Sequence, residues 1–141
     1  MRIVLDTNVL VSGLLSPFGP PGEILRMVTS GAVTLCVDAR LLTEYAQVLA
    51  RPRFGFDSDA VSALLYFIEH SSVTGAAEPL VVRLPDEDDE PFLEVAIACS
   101  ARHLVSGNLV HFPAEARCGA SVLSPREFLD SYRSATESRD T

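Results

Sequence analysis

Arg2 to Leu5 is a short apolar run stopped by Asp6, the pattern of a buried strand. Asn8 to Leu15 then carries apolar residues at helical spacing until Ser16-Pro17 and Gly19-Pro20-Pro21-Gly22 interrupt it, so a helix and a loop follow. Glu23 to Ser30, with Ile24, Leu25, Met27 and Val28, predicts a second helix closed by Gly31, and Val33 to Val37 a second strand ending at Asp38. From Ala39 to Ala50 the positions Leu41, Leu42, Tyr45, Val48 and Leu49 keep a helical period, which Arg51-Pro52-Arg53 stops.

Asp57 to His70 reads as a further helix and Pro79 to Leu84 as a third apolar strand. The run Asp86-Glu87-Asp88-Asp89-Glu90 is then a loop leading into a helix whose first turn holds Pro91, where acids complement the positive end of the helix dipole. His103 to Ser106 and Ser121 to Leu123 predict the last two strands. Ser124-Pro125-Arg126-Glu127 is a capping box opening a helix to about Tyr132. Strands alternating with helices predict an α/β fold: a central, mostly parallel sheet of four to five strands with helices on both faces, forming three layers. The expected organisation is one domain over 1–133 and a polar tail over 134–141. In such sheets the ligand site lies beyond the carboxyl ends of the strands, at the topological switch point.

Composition sharpens the chemistry. The chain has 141 residues, 48% of them apolar and 21% charged, which suits one globular domain. All 11 basic residues are arginine, against 19 acids, for a formal charge of −8. Without lysine there is no Schiff base and no phosphate-loop Gly-Lys-Ser/Thr, and the negative balance opposes coating of nucleic acid or anionic lipid by bulk charge. Cys36, Cys99 and Cys118 lack a C-x-x-C spacing and read as buried thiols in a reducing cytoplasm. The N-terminus does not read as a signal peptide, and no stretch approaches the roughly 18 to 20 apolar residues of a membrane span. The expectation is a cytoplasmic protein with no membrane partner.

The acids fall at the expected strand ends. Asp6 closes the first strand, Asp86 to Glu90 follow the third, Ser106-Gly107-Asn108 end the fourth, and Glu44 lies in the helix after the second. Singly, each has an ordinary reading: a helix cap, a solvated loop or an exposed helix glutamate. Together, at one sheet edge, they would form a negative cluster that calls for a divalent ion, and oxygen-only ligands select Mg²⁺ or Mn²⁺ over zinc. With no general-base histidine at hand, such a site suits metal-activated water attacking a phosphodiester.

The segments Ile3-Val4-Leu5-Asp6-Thr7-Asn8, Leu42-Thr43-Glu44-Tyr45, Arg51-Pro52-Arg53-Phe54, Asp86 to Ala96, Leu104 to Asn108 with His111-Phe112-Pro113, and Val122 to Leu129 occur in an order that resembles the PIN-domain ribonucleases. The likeness is to the bacterial toxin components of toxin-antitoxin pairs, relatives of the VapC-type toxins. It implies a three-layer α/β/α fold, a Mg²⁺ or Mn²⁺ site built from three or four acids, and cleavage of RNA. Asp6 matches the first acid and Glu44 the helical second. The third falls within Asp86 to Glu90, with Asp89 favoured and Asp88 and Glu90 as alternatives. The implied catalytic set is therefore Asp6, Glu44 and Asp89, and the metal set adds Glu90. Asn108 stands where many relatives carry a fourth acid, Ser106 matches a small hydroxyl position, and Asn8 is a polar neighbour of Asp6.

An amide at position 108 contributes no charge and cannot act as a base. It motivates an alternative reading, a catalytically weak module that binds RNA or a protein partner with one cation. A phosphatase with Asp6 as nucleophile is disfavoured by the missing lysine and by Asn8 in place of a second aspartate. Arg51 and Arg53, and also Arg26, are the candidates to grip phosphate. The resemblance further implies a cognate antitoxin, with the loop Ser16 to Gly22 and the helices Glu23 to Ser30 and Asp57 to His70 as docking or dimer surfaces. A homodimer or higher homo-oligomer is expected.

Overall fold

In the structure, a computed structural model that describes residues 1–140, five strands run parallel: β1 (Arg2–Leu5), β2 (Thr34–Val37), β3 (Val73–Thr74), β4 (His103–Val105) and β5 (Val122–Leu123). Their order is β3-β2-β1-β4-β5. β1 is central, with Ile3 opposite Leu35 on one side and His103 on the other. Ile3, Val4 and Leu5 are all fully buried, as a parallel strand covered on both faces requires. The chain winds outward from β1 to β3 and then returns to β4, so the topological switch lies between the carboxyl ends of β1 and β4, where Asp6 and Ser106 follow.

Six helices cover the sheet: α1 (Thr7–Leu15), α2 (Pro20–Ser30), α3 (Ala39–Leu49), α4 (Ser58–Ser71), α5 (Glu90–Ala98) and α6 (Pro125–Asp140). α2 packs between α1 and α6, and α6 rests on β4 and β5; α3 packs on α4 and α5, and α5 lies over β1, β2 and β4. The capping box is present as expected: the Glu127 N–H donates to Ser124 Oγ at 3.1 Å and the Ser124 N–H to Glu127 Oε1 at 2.9 Å. Among the described residues no helix is long and apolar enough to cross a membrane.

Four local expectations are corrected. Residues Pro79 to Leu84 form no strand; the edge strand is Val73–Thr74, paired with Cys36 and Val37. The physical reason lies in α5, whose carboxylates take the backbone donors a strand would have used. The Leu80 N–H donates to Glu94 Oε2 and the Leu84 N–H to Glu90 Oε2, each at 3.0 Å. α2 begins at Pro20 rather than Glu23, because proline is pre-organised for a first helical turn. α6 continues to Asp140, past the expected end near Tyr132. Cys36 and Cys99 are buried thiols, but Cys118 is exposed, on a turn where it adopts φ 53°.

Candidate active site

Asp6 leaves β1 at the N-cap position of α1, yet its side chain makes no capping bond. It is instead buried and held by neighbours: Ser106 Oγ donates to Asp6 Oδ2 at 2.8 Å and Asn8 Nδ2 to the same oxygen at 3.3 Å. Ser106, itself fully buried, accepts from the Asn108 N–H at 3.0 Å, so both roles of its hydroxyl are used. Asn8 Oδ1 accepts from the Gly107 N–H at 2.9 Å, and a side chain at Gly107 would begin 3.3 Å from that oxygen. The turns after β1 and β4 are thereby tied across the switch point. Burial pushes the Asp6 carboxyl above its ordinary value, opposed by the Ser106 hydrogen bond.

Glu44 arrives from α3. Asp38 caps that helix by accepting the Leu41 N–H at 3.1 Å, and the fully buried Tyr45 donates its hydroxyl to the Leu5 carbonyl at 2.5 Å. That bond pins α3 to the end of β1 and brings Glu44 beside Thr7, whose hydroxyl donates to Glu44 Oε2. Burial raises the Glu44 carboxyl, Thr7 opposes this, and Asp6 and Asp88 raise it further.

The acidic run divides. Asp86 accepts the Asp88 N–H at 2.9 Å and starts a single 3₁₀ turn, Glu87–Asp89, that delivers Asp89 to the N-terminus of α5. The Asp89 carboxyl is pushed up to about 6 by burial and by Asp6, against the influence of His111. Its Oδ2 is buried, with His111 Nδ1 2.9 Å away. Glu90, included in the expected metal set, points elsewhere. It is buried, and its oxygens accept from the Leu84 N–H at 3.0 Å and from Arg83 at 3.1 Å.

A pocket of about 440 Å³ collects Asp6, Asn8, Glu44, Asp86, Asp88 and Asp89 with Thr7, Arg51, Arg53 and Phe54. Glu90 and Arg26 are not among its walls, and Arg26 is spent on the Pro17 carbonyl. Asn108 also stands back: its Nδ2 meets His111 Nε2 at 3.0 Å. With that nitrogen accepting, the ring carries its proton on Nδ1, facing Asp89. The expectation that no histidine stands near the acids is thus corrected. His111 and Thr7 are the site residues that sequence reasoning missed.

The PIN-domain family model matches residues 2–110, the span that holds every acid of the pocket. The chain belongs to the PIN-domain family. PIN domains are generally nucleases and generally use divalent metals. An uncharacterized protein of Methanocaldococcus jannaschii is 28% identical to this PIN domain over 105 residues, 72% of this chain and 67% of that protein. In fold, the chain is similar to the crystal structure of FitAcB from Neisseria gonorrhoeae, with a TM-score of 0.54 at 16% identity, over 88% of this chain and 98% of that one.

Among the described residues no three acidic, histidine or cysteine side chains of this PIN domain close into a ready-made metal cage. The donors nonetheless fit a hard cation. They are carboxylate oxygens that repel one another, as the raising of the Glu44 and Asp89 carboxyls by Asp6 shows, and Asp89 Oδ2 is buried with the His111 ring beside it. Mg²⁺ keeps several waters and needs only one or two carboxylates, so a closed cage is not required.

Proposed function

We propose that this PIN domain is a Mg²⁺- or Mn²⁺-dependent endoribonuclease and the toxin of a toxin-antitoxin pair, with Asp6, Glu44 and Asp89 as its catalytic acids. The observation that carries the reading is the convergence in one pocket of three carboxyls from the end of β1, the middle of α3 and the acidic run, all raised above their ordinary values. Carboxyls that repel one another within one pocket favour a bound cation.

The residues divide the work. Ser106 and Asn8 fix the rotamer of Asp6, and Thr7 fixes Glu44. Asp6 and Asp89 would hold the cation, and Glu44 would accept from a water that the cation activates; Glu90 is left to structure. A bound divalent ion supplies an activated water and neutralises phosphate charge. Arg51 and Arg53 on the rim supply the positive charge that meets the substrate. The antitoxin partner rests on the resemblance to toxin components.

Purified protein incubated with RNA should cleave it in Mn²⁺ or Mg²⁺ and not in EDTA, and Asp6→Asn should abolish cleavage. Unchanged cleavage by the variant sinks the assignment. One observation favours a second reading, a weakly catalytic RNA-binding or partner-binding module: the fourth acid position is Asn108, and its amide is engaged with His111. That reading predicts RNA binding without metal-dependent product, and a Mn²⁺ thermal shift that requires Asp6.

A further inference from the structure

We propose that Arg53, Phe54 and Phe56 form a stacking platform for one unpaired base of RNA at the rim of the acid pocket, an inference that rests on the nuclease reading and adds a base-binding subsite to it. The segment after α3 makes a single 3₁₀ turn, Pro52–Phe54, closed by Gly55 at φ 63°. This left-handed glycine reverses the chain within one residue and brings the Phe54 and Phe56 rings together. Their centroids are 5.5 Å apart and the planes differ by 18°. The Arg53 guanidinium carbon lies 4.8 Å from the Phe54 centroid.

The three side chains differ in how they are held. Phe56 is half-buried against the core, which anchors the stack. Phe54 is half-buried, does not pack on the core cluster, and lines the pocket. Arg53 is exposed, also lines the pocket, and has no carboxylate in ion-pair range among the described residues. An aromatic pair serving only the core would not hold a free guanidinium over its outer ring beside Asp6, Asp88 and Asp89. Arginine planes and aromatic rings are the surfaces on which unpaired bases stack. A duplex cannot use this platform, because its bases are already stacked and its deep groove is too narrow for side chains. The stack also addresses the charge problem, since stacking draws RNA to a pocket whose acids repel phosphate.

The test uses a mixed-sequence RNA decamer with 2-aminopurine moved along it, in EDTA so that nothing is cut. The wild type should quench fluorescence at one position and bind the single strand better than its duplex. Arg53→Lys, which keeps the charge and loses the plane, should lose that quench and about tenfold in affinity, the loss of one stacked base. Phe54→Leu should do the same, while Arg26→Lys, away from the pocket, should match the wild type. The proposal is overturned if Arg53→Lys binds and quenches like the wild type, if duplex affinity falls as much as single-strand affinity, or if the wild type binds no RNA. Positional quenching without any Mn²⁺-dependent cleavage would keep the platform and reject the nuclease. Loss of cleavage in Asp6→Asn with an unaltered Arg53→Lys would do the reverse.

Discussion

His111 Nδ1 stands 2.9 Å from Asp89 Oδ2, with the ring held from behind by the Asn108 amide. The histidine thus eases the Asp89 carboxyl down, against burial and the charges of Asp6 and Asp86. A carboxyl pushed up to about 6 binds its proton more tightly in the folded than in the unfolded chain. Metal-free protein should therefore lose stability as pH rises from about 4 to about 6 and stay at that lower level above it. The raised Asp6 and Glu44 act in the same direction as Asp89. Thermal melts in EDTA should show a Tm several degrees lower at neutral pH than near pH 5. Mn²⁺ should raise Tm more at neutral pH, because proton and cation compete for the same oxygens. A Tm in EDTA that climbs steadily over this range would contradict the clustering.

The hydroxyls of Ser106 and Thr7 touch carboxylates rather than substrate, so their removal tests orientation. Ser106→Ala and Thr7→Val should each lower metal affinity or activity by roughly 10–100-fold, as loss of a ligand's supporting hydrogen bond does. Titration of the Mn²⁺-induced Tm shift reads this directly. Variants with wild-type Mn²⁺ midpoints and activity would show that the hydroxyls merely fill space.

Asp89 and Glu90 are neighbours with opposite expected phenotypes. Glu90→Ala strips the acceptor from the buried Leu84 N–H and should cost about 1–3 kcal/mol of stability, with the Mn²⁺ response retained in the folded fraction. Asp89→Asn removes one of several like charges from the pocket and should stabilise the metal-free protein while weakening its Mn²⁺ response. Reversal of the two phenotypes, by denaturant melts with and without Mn²⁺, would make Glu90 the ligand.

That contrast marks how far the sequence could be read. Asp6 was legible because it ends an apolar run, and a doubly wound sheet places its ligands at such ends. Glu44 was not legible from periodicity, since a helix glutamate next to a buried tyrosine can face either way; the resemblance pointed to it, and Thr7 is what it meets. Asp88, Asp89 and Glu90 could not be separated, because each step along a tight turn swings the side chain by about a third of a circle. What separates them is tertiary: the Leu84 N–H and Arg83 claim Glu90. The bonds from Leu80 and Leu84 to α5 explain why apolar Pro79 to Leu84 is no strand: the run packs Leu84 into the core and leaves Val81 95% exposed. His111 gave no signal because a 3₁₀ turn, Leu109–His111, places it with no periodicity to read.

Tyr45 links fold to site most directly. Its hydroxyl reaches the carbonyl of Leu5, the last residue of β1, while Glu44, one residue before it in α3, meets Thr7 at the start of α1. Tyr45→Phe keeps the ring packed and leaves the buried carbonyl without that donor, so it should cost about 1–3 kcal/mol. Its second effect is diagnostic. If the bond merely stabilises, activity per folded molecule is unchanged; if it sets the position of Glu44, kcat falls with little change in RNA affinity, because Arg51 and Arg53 are untouched. The site's geometry favours the second outcome, since α3 has no other hydrogen bond to β1 among the described residues. Steady-state cleavage at saturating Mn²⁺, normalised to the folded fraction by circular dichroism, distinguishes them.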